Sequence, residues 1–591
     1  MTKLFKFLKP YWLSIVAITV LVFTQVLVNL NLPTLMASII DKGISQKDKA
    51  FTVNIFGFSG SYKGVDFIIR IGILMLLISA AGALCSIVAS YLSSKTAVGF
   101  GRILRNKIFT KVEGFSLHEF DKVGTATLIT RTTNDVTQVQ QVTVMMFSIM
   151  LFAPLTCIGG FYMAIKEDKG LTWIFAIVIP LLLAIIGLTM KFGMPMFKRM
   201  QILIDKLNQV VREGLTGIRV VRAFNRIDHE KERFDNANKN LMDNAIKINK
   251  LMAFLMPIMM LIMNLTSISI IWFGAQRVNT GSIQVGSLMA FMQYGMQILM
   301  SFLMISMVFI MIPRASASGL RISEVLDMVP DITDAPKTIL ANKASGYLEF
   351  KDVSFRYPGA EQPAISNVTF SAKPGELTAI IGGTGSGKST LVSLIPRFYD
   401  VENGSVLVDG VDVREMSQES LRAKIGFVPQ KNVLFSGTIS ENISYGKDNA
   451  TLEEISHAAE VAQATHFISE MEGGLEHVMA QGGTNVSGGQ KQRLSIARAL
   501  VRKPEIYVFD DSFSALDFKT DARLRAALKK ETADATVLII AQRVATVMEA
   551  DRIIVLDDGK IAGIGTHKEL IKTCDVYHEI VASQLSEEEL A

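Results

Sequence analysis

The run Gly382, Gly383, Thr384, Gly385, Ser386, Gly387, Lys388, Ser389 is built to hold phosphate. It follows the apolar segment LTAII (377–381) and leads through Thr390 into a helical pattern. Glycines at this spacing let backbone N–H groups turn toward phosphate oxygens, and a helix N-terminus adds positive potential. Lys388 can reach the β- and γ-phosphates of a nucleoside triphosphate, and the Ser389 hydroxyl can ligate Mg2+. An acidic pair, Asp510 and Asp511, stands directly after a second apolar strand, IYVF (506–509). Asp510 is suited to hold Mg2+ through water. Nucleotide binding is therefore the chemistry these residues predict.

Further motifs follow in a fixed order: Gln430 in IGFVPQ, VSGGQ at 486–490, IYVFDD at 506–511 and AQR at 541–543. This order resembles the nucleotide-binding domain of ABC transporters along its whole length. A lone tyrosine is more often a core residue, but the resemblance implies that Tyr357 in VSFRYPG stacks on adenine. It also implies that Gln430 ligates Mg2+ through its amide oxygen. Ser487, Gly488, Gly489 and Gln490 would present N–H and hydroxyl donors to ATP held by another subunit, so neither subunit alone completes a site. FSALD (513–517) is similar to the loop that crosses that dimer interface.

Two positions depart from the family pattern. Asp511 stands where the family has the glutamate that orients the attacking water, and Gln542 stands where it has a histidine. Asp is one methylene shorter, so its oxygen falls short by roughly 1 Å, a misplacement able to cost ~10²-fold in rate. Gln can donate to a γ-phosphate, but it cannot become cationic or relay a proton. A third departure is Gln481 in MAQGG (479–483), at a position where family exporters often carry Glu. ATP binding is thus expected to be kept and turnover at Asp511 and Gln542 slowed. The pattern is similar to the degenerate-site subunit of bacterial heterodimeric multidrug exporters. It predicts a second half-transporter, whose own ATP site would be completed by Ser487–Gln490.

The elements that must position these residues fall into two parts. The chain has 591 residues, 49% hydrophobic and 19% charged, and its mean hydropathy of +0.34 is too high for an ordinary soluble protein. Six apolar segments, near 13–34, 67–94, 143–165, 171–192, 251–274 and 286–312, can each cross ~30 Å of hydrocarbon as a helix. Lys3, Lys6 and Lys9 precede the first, whose apolar run is longer than a signal peptide's. The long connections 95–142 and 193–250 are rich in Lys and Arg, which places them, both termini and the nucleotide-binding domain in the cytoplasm of a cell-membrane protein. No N-x-S/T sequon falls on an outside loop, which is compatible with a bacterial source. Helical periodicity through 200–250 extends the spans beyond the bilayer.

The segments 113–136 and 217–234 are similar to the exporter loops that carry coupling helices. The expected fold class is an α-helical six-span membrane domain (1–315), a polar linker containing one short helix (316–345) and an α/β P-loop ABC nucleotide-binding domain (346–591). Net charge is only +5 and spread out, so nothing points to nucleic acid. Cys85, Cys157 and Cys574 are far apart and suggest neither a disulfide framework nor a metal site.

Cargo is less legible. The last two spans hold 12 of the 29 methionines, among them Met252, Met259, Met300 and Met304. Thioethers suit a cavity for varied apolar compounds, and they equally suit lipid contact or helix packing. Asn264, Gln293 and Gln297 could bond cargo or other helices. The family analogy points to amphipathic drugs moved past membrane lipid. A dedicated lipid or peptide exporter is the nearest rival, and an ATP-gated channel or sensor subunit the next.

Overall fold

The structure is a computed structural model that describes residues 2–55, 58–339 and 345–584. Residues 340–344 of the expected linker and 585–591 at the end of the expected nucleotide-binding domain lie outside the described residues. The chain divides into two compact units.

The first unit, 1–113 with 126–328, is helical apart from one antiparallel strand pair, Ala50–Ile55 with Phe58–Lys63. Its long helices are Trp12–Ser38, Gly64–Glu113, Val136–Glu167, Trp173–Thr216, Ile227–Asn279 and Val285–Asp327. Among the described residues six helical stretches are long and apolar enough to cross a membrane. The second has 50 residues and is about 75 Å long, more than twice the hydrocarbon thickness. Proline at 33, 154, 180, 195 and 257 lies inside these helices. Such breaks are tolerated where neighbouring helices re-satisfy the freed carbonyls.

Aromatic packing and a few ion pairs tie this unit together. Phe175 stacks on Phe291 with ring centres 5.2 Å apart. The buried Tyr294 hydroxyl donates to the Leu30 carbonyl at 2.9 Å. Asp41 accepts the Gly286 and Ser287 N–H groups at 2.6 and 3.1 Å, placing a carboxylate at the N-terminus of the last helix. Buried Asp168 pairs with Arg277 at 2.8 Å. The expected start of a linker at 316 is corrected: the last helix runs unbroken to Asp327. Buried Asp135 holds that extension, accepting from Ser318 Oγ at 2.8 Å and pairing with Arg321.

The second unit, 114–125 with 329–591, is built on two larger sheets, with a small antiparallel pair of Gly437–Thr438 and Val478–Met479 beside them. The larger runs Lys560–Gly565, Arg552–Asp557, Leu377–Gly382, Thr536–Ile540, Ile506–Asp510, Ile425–Val428. All its pairings are parallel except that of the first two strands. Strand residues alternate between two cores: Tyr507, Phe509, Val537 and Ile539 face one side, and Ile506, Val508, Leu538 and Ile540 the other. An antiparallel sheet of Ile365–Ala372, Leu348–Phe355, Asn403–Val408 and Val411–Asp412 completes the unit. The short helix Leu117–Val123, within the 113–136 coupling segment, also belongs here. Its buried Glu119 accepts from Ser116 N and Oγ, each at 2.7 Å, and from Asp331 N at 3.1 Å. The fold class is therefore an α-helical six-span membrane domain followed by an α/β nucleotide-binding domain.

Candidate functional site

Three adjacent parallel strands end at one edge of the larger sheet. Ile380 is in register with Ile540, and Ile540 with Asp510. The loop after Leu377–Gly382, the acids after Ile506–Phe509 and Gln542 after Ile540 therefore meet at the strands' carboxyl ends, where α/β sheets bind ligands. A cavity of about 320 Å3 lies there. Its lining includes Tyr357, Thr384, Gly385, Gly387, Lys388, Ser389, Thr390, Gln430, Asp510, Asp511 and Gln542.

The phosphate loop depends on small residues at defined points. A Cβ at Gly382 would collide with the Leu556 carbonyl, and Gly387 has φ +93° at the start of helix Lys388–Ser393. Gly383 is open to solvent and Ser386 is buried. Lys388 Nζ donates to the carbonyls of Gly382 and Gly383 at 2.9 and 2.6 Å. Burial lowers its pKa, against the pull of Asp510 and Asp511. To reach a phosphate the ammonium must let go of its own loop. Ser389 Oγ donates to Asp510 Oδ1 at 3.0 Å, bringing two oxygen ligands of the type Mg2+ prefers side by side. Tyr357 packs edge-on against Phe355 and Tyr399, and its hydroxyl lies 3.0 Å from Thr390 Oγ1.

The two departures meet in a single cluster. Asp511 Oδ2 accepts from Gln430 Nε2 at 3.3 Å and from Gln542 Nε2 at 3.0 Å. Asp511 itself sits at φ +46°, a left-handed conformation that Asp tolerates better than most residues. Burial raises the pKa of Asp510, opposed by the Ser389 hydrogen bond, and raises that of Asp511, opposed by Gln430. Two adjacent carboxyl groups, one buried and one half-buried, fit a site made for a divalent cation.

Ser487, Gly488, Gly489 and Gln490 do not line this cavity. They form the N-terminus of helix Gly488–Leu500, where Ser487 caps the Gln490 N–H at 3.3 Å and Gln490 returns to the Ser487 N–H at 2.8 Å. The S-x-x-Q spacing is that of a capping box.

Two positioning residues escaped the sequence. Gln492, on the same helix, donates to the Asp511 carbonyl at 3.5 Å and accepts from Ala515 N at 3.1 Å. Gln584 donates to the Gln542 carbonyl and accepts from Val544 N–H, each at 2.8 Å. Its only sequence signal is a lone amide just past the helix Asp575–Ala582.

Of the expected coupling segments, the second carries a short helix, Ile218–Ala223, in the first unit. Gln481 forms part of a 3-10 turn, Gln481–Gly483. In the membrane unit a cleft of about 240 Å3 is lined by Asn29, Thr156, Gln293, Gln297, Met300 and Met304 among others, with no charged side chain. Gln297 Nε2 donates to the Asn29 carbonyl at 3.3 Å, and Gln293 Nε2 lies 3.7 Å from Met36 Sδ. Gln297 Oε1 and Thr156 Oγ1 are buried with no protein partner among the described residues. The methionines divide: Met259 is buried, Met260 faces outward, and Asn264 is exposed.

Six long apolar helices followed by an α/β phosphate-loop unit with a serine-capped signature helix define an ATP-driven membrane transporter. The chain belongs to the ABC transporter family: residues 15–302 match the ABC transporter transmembrane region and residues 365–514 the ABC transporter model. It is 42% identical to an uncharacterized ABC transporter ATP-binding protein of Mycobacterium tuberculosis, over 98% of this chain and 97% of that protein. It is 33% identical to an ATP-dependent lipid A-core flippase of Syntrophus aciditrophicus, over 82% and 81% of the two chains. With the putative multidrug export ATP-binding/permease protein YgaD of Bacillus subtilis it shares 31% identity, over 99% of each. The solved structure of a bacterial Atm1-family ABC exporter with ATP bound shares the fold, at TM-score 0.80 and 24% identity over 97% of this chain and 98% of that one. The protein is a multi-pass membrane transport ATPase.

Proposed function

We propose that this chain is the degenerate-site half of a heterodimeric exporter that moves amphipathic or hydrophobic compounds. The cluster of Gln430, Asp511 and Gln542 carries this reading. Asp511, the carboxylate placed to orient a water, is gripped by two neutral amides, and neither amide can relay a proton. ATP binding draws on Lys388, the backbone N–H groups of the loop and the Tyr357 ring. Ser389, Asp510 and the Gln430 amide oxygen would hold Mg2+, which supplies charge neutralisation of the phosphates when bound. Ser487–Gln490 lies outside the lining of this cavity and would serve the second half's ATP. The basic connections support cytoplasmic placement of the nucleotide-binding domain and both termini.

The uncharged cleft around Gln297 suits neutral or weakly polar cargo, and the likeness to a multidrug export protein agrees with it. The likeness to a lipid A-core flippase favours a lipid exporter as the second reading. Purified alone, the chain should hydrolyse ATP weakly, and co-expression with its second half should raise turnover. Robust ATPase activity from the lone protein sinks the degenerate-site reading. Uptake of a fluorescent amphiphile against that of a labelled lipid into inside-out vesicles separates the two cargo classes.

A further inference from the structure

A second membrane cavity, of about 120 Å3, lies between the helices Trp173–Thr216, Ile227–Asn279 and Val285–Asp327. Its wall is Met190, Met194, Phe197, Met252 and Leu255, and its one charged residue is Arg314. The two hydroxyls in the lining are already bonded to their own helices: Thr189 donates to the Ile185 carbonyl and Ser306 to the Phe302 carbonyl, both at 2.8 Å. The interior is therefore apolar apart from the guanidinium. Arg314 is exposed and, among the described residues, engages no carboxylate, whereas Arg321 on the same helix is paired with Asp135.

The apolar runs of all three helices end near this level. Arg314 follows the apolar run 286–312, Met194 and Phe197 follow 171–192, and Met252 opens 251–274. Lys191, Lys198 and Lys250 flank the same turns. A cation at headgroup depth above an apolar recess matches one kind of molecule, an anionic head joined to a hydrocarbon chain. A guanidinium binds phosphate oxygens through paired N–H groups, and thioethers adapt to a flexible chain.

We infer that this cavity is a binding site for an anionic glycerophospholipid of the surrounding bilayer, with Arg314 on the phosphate and Met190, Met194 and Met252 on the proximal acyl chain. It is separate from the uncharged cleft around Gln297, and it stands whether or not the Asp511 site is degenerate. The lipid would brace three helices at the point where they leave the membrane.

The test uses the full-length protein in phosphatidylcholine nanodiscs containing phosphatidylglycerol with a diazirine on the proximal acyl chain. Labelled peptides are mapped by mass spectrometry, with the bilayer-facing segment around Leu76 as reference for bulk lipid. Labelling should concentrate on residues 186–197 and 306–314, and unlabelled phosphatidylglycerol should compete it away where phosphatidylcholine does not. Loss of a charge-assisted bond in Arg314→Gln should cut that labelling about tenfold relative to the reference, while Arg314→Lys retains most of it. Gly193 lines the cavity, and a Cβ there meets only Leu251 and Phe197 at 3.5 Å or more. Gly193→Leu should therefore fill the recess and reduce labelling with Arg314 intact. Equal labelling by a phosphatidylcholine probe, or labelling that neither Arg314→Gln nor Gly193→Leu changes, means bulk lipid only and overturns the inference. Displacement by oleate but not by phosphatidylglycerol assigns the cavity to a fatty acid and overturns it as well.

Discussion

Asp511 carries two constraints at once, a left-handed backbone and a carboxylate held between the amides of Gln430 and Gln542. Glutamate occupies the left-handed region less readily, at a cost of about 1 kcal/mol. Asp511→Glu combined with Gln542→His should nevertheless raise phosphate release by the lone protein by about 10²-fold, because it restores both reach and a titratable ring. Each single change should give much less, since the two groups act on one water. Unchanged turnover in the double variant would mean that the limit lies elsewhere. The same residue makes a pH prediction. Burial holds the Asp511 carboxyl above its ordinary value of 3.8. Below that ordinary value the group is protonated in folded and unfolded chains alike. As pH rises through the raised folded value, the folded unit must ionise a half-buried acid that the unfolded chain has already ionised, and stability is lost. Asp511→Asn removes this titration and keeps an oxygen for the two glutamines. It should melt higher than the wild type at about pH 7.5, with the gap closing toward about pH 4. A gap that widens on acidification would contradict the burial argument.

Among the elements, the link between the C-terminal helix and the 541–543 loop is held by two bonds of one side chain. Gln584 pairs with the Gln542 carbonyl and the Val544 N–H. Gln584→Ala should destabilise the nucleotide-binding unit by about 2 kcal/mol in denaturant titration, at about 1 kcal/mol per bond. Gln584→Glu keeps the acceptor for Val544 but loses the donor, so it should fall between. If the clamp positions Gln542, ATP affinity should weaken in the same order, whereas a purely structural bond would leave affinity alone. This residue was illegible in the sequence because its partners lie 42 and 40 residues away and no periodic pattern joins them. The association of segment 114–125 with the nucleotide-binding unit was hidden for the same reason, since Glu119 meets Asp331 across 212 residues. What could be read was local: apolar runs long enough to span, the glycine loop between a strand and a helix, and the VSGGQ motif at 486–490. The helix end expected near 315 was misread because a polar, proline-bearing stretch looks like a break. The bond from Arg321 to Asp135, which holds it in place, is a tertiary one.

At the scale of the whole molecule, apolar side chains stand exposed far beyond the spans. Around the short helix Ile218–Ala223, Leu215, Val220 and Phe224 are 70%, 60% and 75% exposed. The segment follows helix Trp173–Thr216, whose apolar run ends near 192, so this face stands some 40 Å past the bilayer boundary at 1.5 Å per residue. Lipid cannot cover it there, and three large apolar side chains within ten residues form a patch of the kind that marks a protein contact. Under the proposed function the second half-transporter covers it, which makes assembly and coupling depend on Phe224. Phe224→Asp places a charge where an aromatic anchor would be buried, a change worth roughly 2 kcal/mol at an interface hot spot. Recovery of the second half in co-purification should fall about 30-fold at limiting concentration. Phe224 lies outside the ATP cavity, so ATP affinity should stay within about twofold of the wild type, inside the scatter expected for distant sites. Full recovery of the partner, with vesicle transport also unchanged, would show that this face is not where the halves meet. Loss of ATP affinity would instead show that the variant had damaged the fold.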